Sequence, residues 1–427
     1  RQPARKSVNG PTQPCKIALP SQSRGQEIRC VLEHLDRLQP DPILGVMAAF
    51  RADSDPRKVD LGVGVFRDDA GETPVMGAVR EAEQELLARQ TTKTYVAAVG
   101  NAGFNEAMAR VVLGEGHAAP ASGRLRTIQA PGGCGALRLG AELIRTAAPD
   151  AVVHVSTPTW ANHVPLLSNC GLRLERYPYF DPATGGVAFE AMMSALDRLP
   201  PRSVVLLHAS CHNPTGADLE DGQWRELLGL VQRRSLLPFI DIAYQGLGRG
   251  VAADAYGPRL FCAELPEVLV AVSCSKNFGL YRERTGALHV LSATPAAAEA
   301  AISQLMRIAR GLYSMPPDHG AAIVHAILTQ ERLRQAWEAE LEAMRLRIVT
   351  LRAAVVQRLA VTCPQKDFGY IARQRGMFSY LGVDARAVKE LRERHHVYMM
   401  DDSRINVAGL RMDNIGYFAE AVGKAVG

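Results

Sequence analysis

Short apolar runs rich in β-branched residues alternate along this chain with longer stretches in which apolar side chains recur every three or four positions. A fully apolar run bounded by turn residues is the pattern of a strand covered on both faces, and the longer period is that of an amphipathic helix. On this basis strands are predicted at Arg126–Ala130, Val152–Ser156, Val204–His208, Pro238–Ile242, Val268–Ser273 and Gly286–Leu291, with helices such as Gly135–Ala148 and Gln223–Arg234 between them. Strand and helix in alternation predict an α/β fold: a mainly parallel sheet flanked by helices. From about Pro317 to Leu359 the pattern becomes one long charged amphipathic stretch, and Val383–Arg394 and Asn414–Val426 read as further helices around short strands. The expected organisation is a large α/β domain at 74–343 and a smaller α/β domain assembled from 38–73 and 344–427. No internal repeat points to a solenoid.

The remaining composition narrows the class. The 427 residues are 47% apolar and 22% charged, as in globular proteins, and no apolar run is long enough to span a bilayer. The net charge of +5 is small for this length and its basic residues are interleaved with acidic ones, so neither nucleic acid nor a membrane is an implied partner. Eight scattered cysteines without a C-x-x-C pair read as reduced thiols in a cytoplasmic setting. Residues 1–37 read as a flexible N-terminal arm. Within it, 1–26 carry five basic residues and no acid, but Pro3, Pro11, Pro14 and Pro20 break any long targeting helix. An organellar transit peptide, and hence an organellar matrix, is the alternative reading.

Candidate chemistry collects where the predicted strands end. Ala130-Pro-Gly-Gly-Cys-Gly-Ala136 lies between a strand and a helix, where glycine lets backbone approach closely and the first helical N–H groups face an anion. Taken alone, such a turn is more often structural. Ser273-Cys-Ser-Lys276 after another strand, followed by Arg284, adds hydroxyls and a guanidinium suited to the same phosphate. Lys276 by default is a surface lysine. At the carboxyl edge of a parallel sheet, partly desolvated and beside cations, its amine pKa falls, which favours Schiff-base formation with an aldehyde. Asp241 ends an apolar strand and needs a cationic or proton-donating partner; its bland reading is a turn or helix cap. Asn213, in Cys211-His-Asn-Pro-Thr-Gly216, reaches the same edge as Asp241 and Lys276.

These residues resemble the fold-type I pyridoxal-phosphate-dependent aminotransferases, and among them the aspartate and aromatic amino acid aminotransferases. The resemblance runs from about Asp41 to the C-terminus through Leu61-Gly-Val-Gly64, Thr92-Lys-Thr-Tyr95, Gly133-Cys-Gly-Ala-Leu137, Thr159-Trp-Ala-Asn-His163, His212-Asn-Pro-Thr-Gly216, Asp241-Ile-Ala-Tyr-Gln-Gly246, Ser275-Lys-Asn-Phe-Gly-Leu-Tyr281 and Ser403-Arg-Ile-Asn-Val407. It implies pyridoxal 5′-phosphate as cofactor, amino acids and 2-oxo acids as substrates, and a homodimer with shared active sites. It makes Lys276 the Schiff-base lysine and general base, and Asp241 the partner of the cofactor's protonated ring nitrogen, with His163 behind it. Asn213 and Tyr244 meet the ring 3′-oxygen, and Trp160 stacks on the ring. Gly133, the Cys134 backbone, Ser273 and Arg284 bind phosphate, joined by Tyr95 from the neighbouring subunit. Gly64 lies on the substrate side, Arg404 takes the α-carboxylate, and Arg310, across the dimer interface, takes a second carboxylate.

Two departures stand out: Cys134 replaces the usual hydroxyl of the phosphate turn, and Met315 replaces a small polar residue, with the substrate pocket expected to change shape around it. Rival readings are another reaction of the same cofactor, decarboxylation or β-elimination, and a non-catalytic binding protein retaining the fold. The joint presence of Lys276, Asp241 and Arg404 argues against the last.

Overall fold

Seven strands form the central sheet of the computed structural model, which describes Leu32, 35–37 and 42–427. They are β1 (Leu125–Pro131), β2 (Val152–Thr157), β3 (Arg173–Pro178), β4 (Val204–His208), β5 (Leu237–Ile242), β6 (Val268–Ser273) and β7 (Thr285–Leu291), in the order β1-β7-β6-β5-β4-β2-β3. Every pairing from β6 to β3 is parallel, whereas β7 runs antiparallel to both β6 and β1. The sheet is therefore mainly parallel, as expected, with one reversed strand near an edge. No side chain of β4, β6 or β7 is exposed.

The alternation of side chains along a strand divides the core in two. Val205, Leu207, Ile240, Ile242, Val270 and Val272 pack on one face; Val204, Leu206, Phe239, Leu269 and Ala271 pack on the other. Fully burying each of these large apolar side chains contributes about 1.5–3 kcal/mol, which is why uninterrupted apolar runs persist here. Helix α1 (Gly132–Ala147) lies against the second face so closely that a Cβ at Gly140 would collide with the Phe239 ring.

Helix boundaries differ from the sequence expectation. Helix α1 begins at Gly132, three residues before the predicted start at Gly135, because its first turn absorbs both glycines; Gly132 retains a φ of +68°. Helix α2 spans Asp221–Arg234 with a Glu220–Gln223 capping box, so it starts two residues before Gln223. The long charged stretch is interrupted by the extended backbone of Gln330, giving His319–Thr329 and then helix α3 (Glu331–Thr362).

By contacts the chain divides into Arg1–Pro40 and Asp41–Gly427. The arm expected at 1–37, with Cys15 and Cys30, falls outside the described residues except for Leu32 and 35–37. Within Asp41–Gly427 a separate apolar cluster joins Val59 and Leu61 to Leu351, Val355, Leu391, Ile405 and Phe418. There strand β8 (Phe378–Tyr380) pairs antiparallel with β9 (Arg404–Asn406). No helix among the described residues is long and apolar enough to cross a membrane.

Candidate functional site

A cavity of about 240 Å³ opens where β4, β5 and β6 end, at the carboxyl edge of their parallel ladder. Eleven of the fourteen residues singled out above line it: Gly64, Gly133, Cys134, Trp160, Asn213, Asp241, Tyr244, Ser273, Lys276, Arg284 and Arg404. His163 lies directly behind, fully buried. Tyr95 and Arg310 do not reach this cavity from their own chain. Tyr95 is 87% exposed, and Arg310, also exposed, donates to Ser314 Oγ. Met315, expected at the substrate pocket, is not part of the lining either; its Sδ instead accepts the Val96 N–H at 3.3 Å.

Asp241 is the penultimate residue of β5, in register with His208 of β4. Its Oδ2 lies 3.1 Å from His163 Nε2, and His163 Nδ1 lies 2.8 Å from Thr159 Oγ1. With Nε2–H donating to the carboxylate, Nδ1 accepts the threonine hydroxyl. Burial pushes the Asp241 pKa up, but the His163 hydrogen bond, with the electrostatic influence of the nearby His163, His208 and Lys276 side chains, outweighs it and holds the carboxyl below its ordinary value. A buried, ionised carboxylate at the floor of a cavity asks for a cationic N–H from its ligand.

Lys276 follows β6, with its Nζ 4.7 Å from the centre of the Tyr244 ring. Burial lowers its pKa; Asp241 and Cys134 oppose that and Arg284 adds to it. The amine is consequently easier to deprotonate than a surface lysine, the direction expected from its position. Asn213 Nδ2 donates to Tyr244 Oη at 3.4 Å, so both side chains present polar atoms at one corner.

Opposite that corner the lining changes to an anion cradle. A Cβ at Gly132 would run into the Arg284 guanidinium, and one at Gly133 would come within 3.1 Å of Ser273 Cβ, so glycine is what lets the helix start approach these side chains. Arg284 Nη1 is held by Ser275 Oγ at 3.3 Å and by the Tyr281 carbonyl at 3.1 Å. Helix N–H groups, a hydroxyl and a guanidinium form a donor set for a phosphate. Together with Asp241 and Lys276, they fit a ligand carrying a phosphate, an aldehyde and a basic ring nitrogen.

Arg404 forms the third wall. Nη2 donates to the Gly62 carbonyl at 2.7 Å, Nη1 to Asn213 Oδ1 at 3.3 Å, and the guanidinium lies 4.7 Å from the Phe378 ring centre. Its Nε is buried without a partner, an arrangement that favours an incoming carboxylate. Sequence reasoning missed Ile43, Leu137, His208, Ala243, Tyr281 and Phe378 in the lining, while Ser275, whose hydroxyl it places at the phosphate, is there. The polar end of the Val204–His208 run, paired with the strand ending in Asp241, was a usable signal for His208. Phe378 carried none, because an aromatic residue in a short strand reads as core.

The chain matches the family described as aminotransferase class I and II over residues 56–422. It is 46% identical over 392 residues to an aromatic-amino-acid aminotransferase of Paracoccus denitrificans, covering 92% of this chain and 99% of that one. An aspartate aminotransferase of Haemophilus influenzae is 41% identical over 396 residues, covering 93% and 100%. The crystal structure of the aromatic-amino-acid aminotransferase of Burkholderia pseudomallei covalently bound to pyridoxal phosphate superposes with a TM-score of 0.91 at 42% identity, over 93% of this chain and 100% of that one.

Proposed function

Because the chain belongs to the class I and II aminotransferases, we propose that it uses pyridoxal phosphate to move an amino group from aspartate, glutamate or an aromatic amino acid to a 2-oxo acid such as 2-oxoglutarate or oxaloacetate. The observation that carries this reading is the convergence of Lys276, Asp241 and Arg404 on one cavity: an amine of lowered pKa, an ionised buried acid and a guanidinium with an unpaired N–H. When bound, the cofactor supplies an aldehyde for amines and a ring that takes up the electron pair released at the substrate Cα.

The residues divide the work. Lys276 would hold the cofactor through its amine and would serve as the base that carries the proton at the substrate Cα. Asp241 keeps the proton on the ring nitrogen, and His163 keeps Asp241 in place. Asn213 and Tyr244 hold the ring oxygen, Trp160 covers the ring, and the phosphate is held by Gly133, the Cys134 backbone, Ser273 and Arg284. Arg404 fixes the α-carboxylate plane, with Gly64 beside it. The exposure of Tyr95 and Arg310 supports their serving a neighbouring subunit's site in a homodimer, Tyr95 at the phosphate and Arg310 at a second carboxylate.

The separate cluster around Leu351 and Phe418 supports a small domain from 38–73 and 344–427 beside a large one at 74–343. The unpaired state of all six described cysteines supports a cytoplasmic setting. The test is a donor and acceptor screen with purified holoenzyme, scoring new 2-oxo acid and new amino acid together from aspartate, glutamate, tyrosine and phenylalanine. Release of carbon dioxide or ammonia without amino transfer would overturn the reading in favour of decarboxylation or elimination.

A further inference from the structure

Arg352, on helix α3, is 1% exposed and does not line the cavity. Burying this group is costly unless every N–H finds an acceptor. Nε and Nη2 donate to the Gly376 carbonyl at 3.1 and 2.7 Å, and Nη1 donates to the Ile371 carbonyl at 2.8 Å and Ser379 Oγ at 2.7 Å. Nη2 also reaches the Phe378 carbonyl at 2.6 Å and the Arg375 carbonyl at 3.3 Å. One side chain thus gathers the whole turn from 371 to 379 that delivers β8. Its hydrogen bonds among the described residues go to backbone carbonyls and one hydroxyl, and burial pulls the guanidinium pKa down to about 10.

What hangs on that turn is the carboxylate wall of the cavity. β8 is the only partner of β9 in its sheet, with Phe378 opposite Asn406 and Tyr380 opposite Arg404. The Phe378 ring carries the Arg404 guanidinium, and a Cβ at Gly64 would come within 2.7 Å of it. Beside the Gly62 carbonyl, a further support of Arg404 is Asn213, whose turn ends at Gly216. The Gly216 carbonyl accepts the Arg375 N–H at 2.7 Å. A Cβ there would strike the Phe378 carbonyl and approach Arg352 Nη2 to 3.2 Å. The Phe378 and Asn213 props of Arg404 therefore meet at Arg352, while the Gly62 carbonyl holds Nη2 from a separate segment.

We infer that Arg352 is a positioning residue for substrate carboxylate recognition: its guanidinium clamps β8 and the Asn213 turn to one another, and so sets where Arg404 presents its fork. The inference rests on the reading of Arg404 as the residue that takes the α-carboxylate. A fork displaced by a fraction of an ångström loses one of its two parallel bonds to a carboxylate, while the phosphate cradle, built on β1, β6 and α1, is unaffected.

The experiment compares wild-type holoenzyme with Arg352→Lys, Ser379→Ala and Arg404→Leu. Calorimetry measures binding of 3-phenylpropanoate, a monocarboxylate without an amine, and kinetics give KM and kcat for phenylalanine. Arg352→Lys keeps the charge and loses the fork; Kd for 3-phenylpropanoate and KM should rise about tenfold. Cofactor affinity, followed by its absorbance, should stay within about twofold. Ser379→Ala removes one clamp bond and should raise Kd about threefold, in the range of a single hydrogen bond. Wild-type Kd in Arg352→Lys, with only its melting temperature lowered, would make the residue architectural and overturn the inference. Should Arg352→Lys not fold, an unchanged Kd in Ser379→Ala overturns it equally. If Arg404→Leu itself binds 3-phenylpropanoate normally, the reading of Arg404 falls and takes this inference with it; a weakened Arg404→Leu beside normal Arg352→Lys and Ser379→Ala refutes the inference alone.

Discussion

On the proposed reading the amine of Lys276 acts at the substrate Cα and the guanidinium of Arg404 on the carboxylate bonded to it, and their substitutions should fail differently. In the proposed reaction Lys276→Ala removes the proton carrier and leaves the phosphate donors Ser273 and Arg284 intact. Cofactor should still bind, while single-turnover transamination falls at least about a thousandfold, within the range of general acid–base catalysis. Near-normal turnover would move the chemistry elsewhere. The two arginines separate substrate classes. Arg310→Leu leaves the distal carboxylate of aspartate unpaired, costing roughly 2–5 kcal/mol in a buried pair, whereas phenylalanine has no such anion and should lose far less kcat/KM. Arg404→Leu should damage both, since every amino acid presents an α-carboxylate. Equal losses for aspartate and phenylalanine in Arg310→Leu would restrict Arg310 to architecture. Met315 does not reshape the cavity of its own chain, because its sulfur is engaged by Val96 and lies outside the lining.

At the scale of elements, the start of helix α1 concentrates the demand on conformation. Gly132 combines a φ of +68° with a guanidinium where a Cβ would stand. Gly132→Ala should cost about 1–3 kcal/mol of local strain, and, because that strain falls on Arg284, cofactor affinity should drop about tenfold. An absorbance titration beside a melting curve distinguishes this from general instability: unchanged affinity with a lower melting temperature would detach Gly132 from the phosphate cradle. This region also shows what was legible in the chain. Strands β4 and β6 were found to the residue because both of their faces are covered, leaving an uninterrupted apolar run between polar ends. The cavity residues on those ends came with them. Two adjacent glycines, in contrast, look like a turn whether or not a helix has already begun, so the start of α1 was set late. The Gln330 break went unseen because an extended residue between two amphipathic stretches leaves composition unchanged. Phe378 and Arg352 stayed hidden for another reason: their roles depend on contacts between segments more than a hundred residues from Asp241 and Asn213, which no local pattern encodes.

Over the whole molecule, buried imidazoles should set the response to acid. Burial pushes His208 down to about 3, helped by His163 and opposed by Asp241, and burial alone pushes His289 down to about 4. Both folded-state values lie below the ordinary 6.5, so between them the unfolded chain holds protons that the fold refuses. Stability is complete above that ordinary value and is lost as the pH falls from it toward the folded values, by about 1.4 kcal/mol per pH unit for each histidine. Urea unfolding of the holoenzyme at about pH 7 and about pH 5 measures this slope; coincident midpoints would mean that neither imidazole is kept neutral. The reversed strand β7 has a consequence for biosynthesis. Among the described residues β1 has β7 as its one partner strand, so a chain emerging from a ribosome completes β1 at Pro131 and cannot complete that pairing until Leu291 has followed. At roughly 5–20 residues per second the delay is on the order of 10–30 s. For that interval Leu125–Pro131, with its buried Leu125, Ile128 and Ala130, is a nascent strand without its β7 partner, and chaperone capture during translation should begin after it emerges and end once β7 is available.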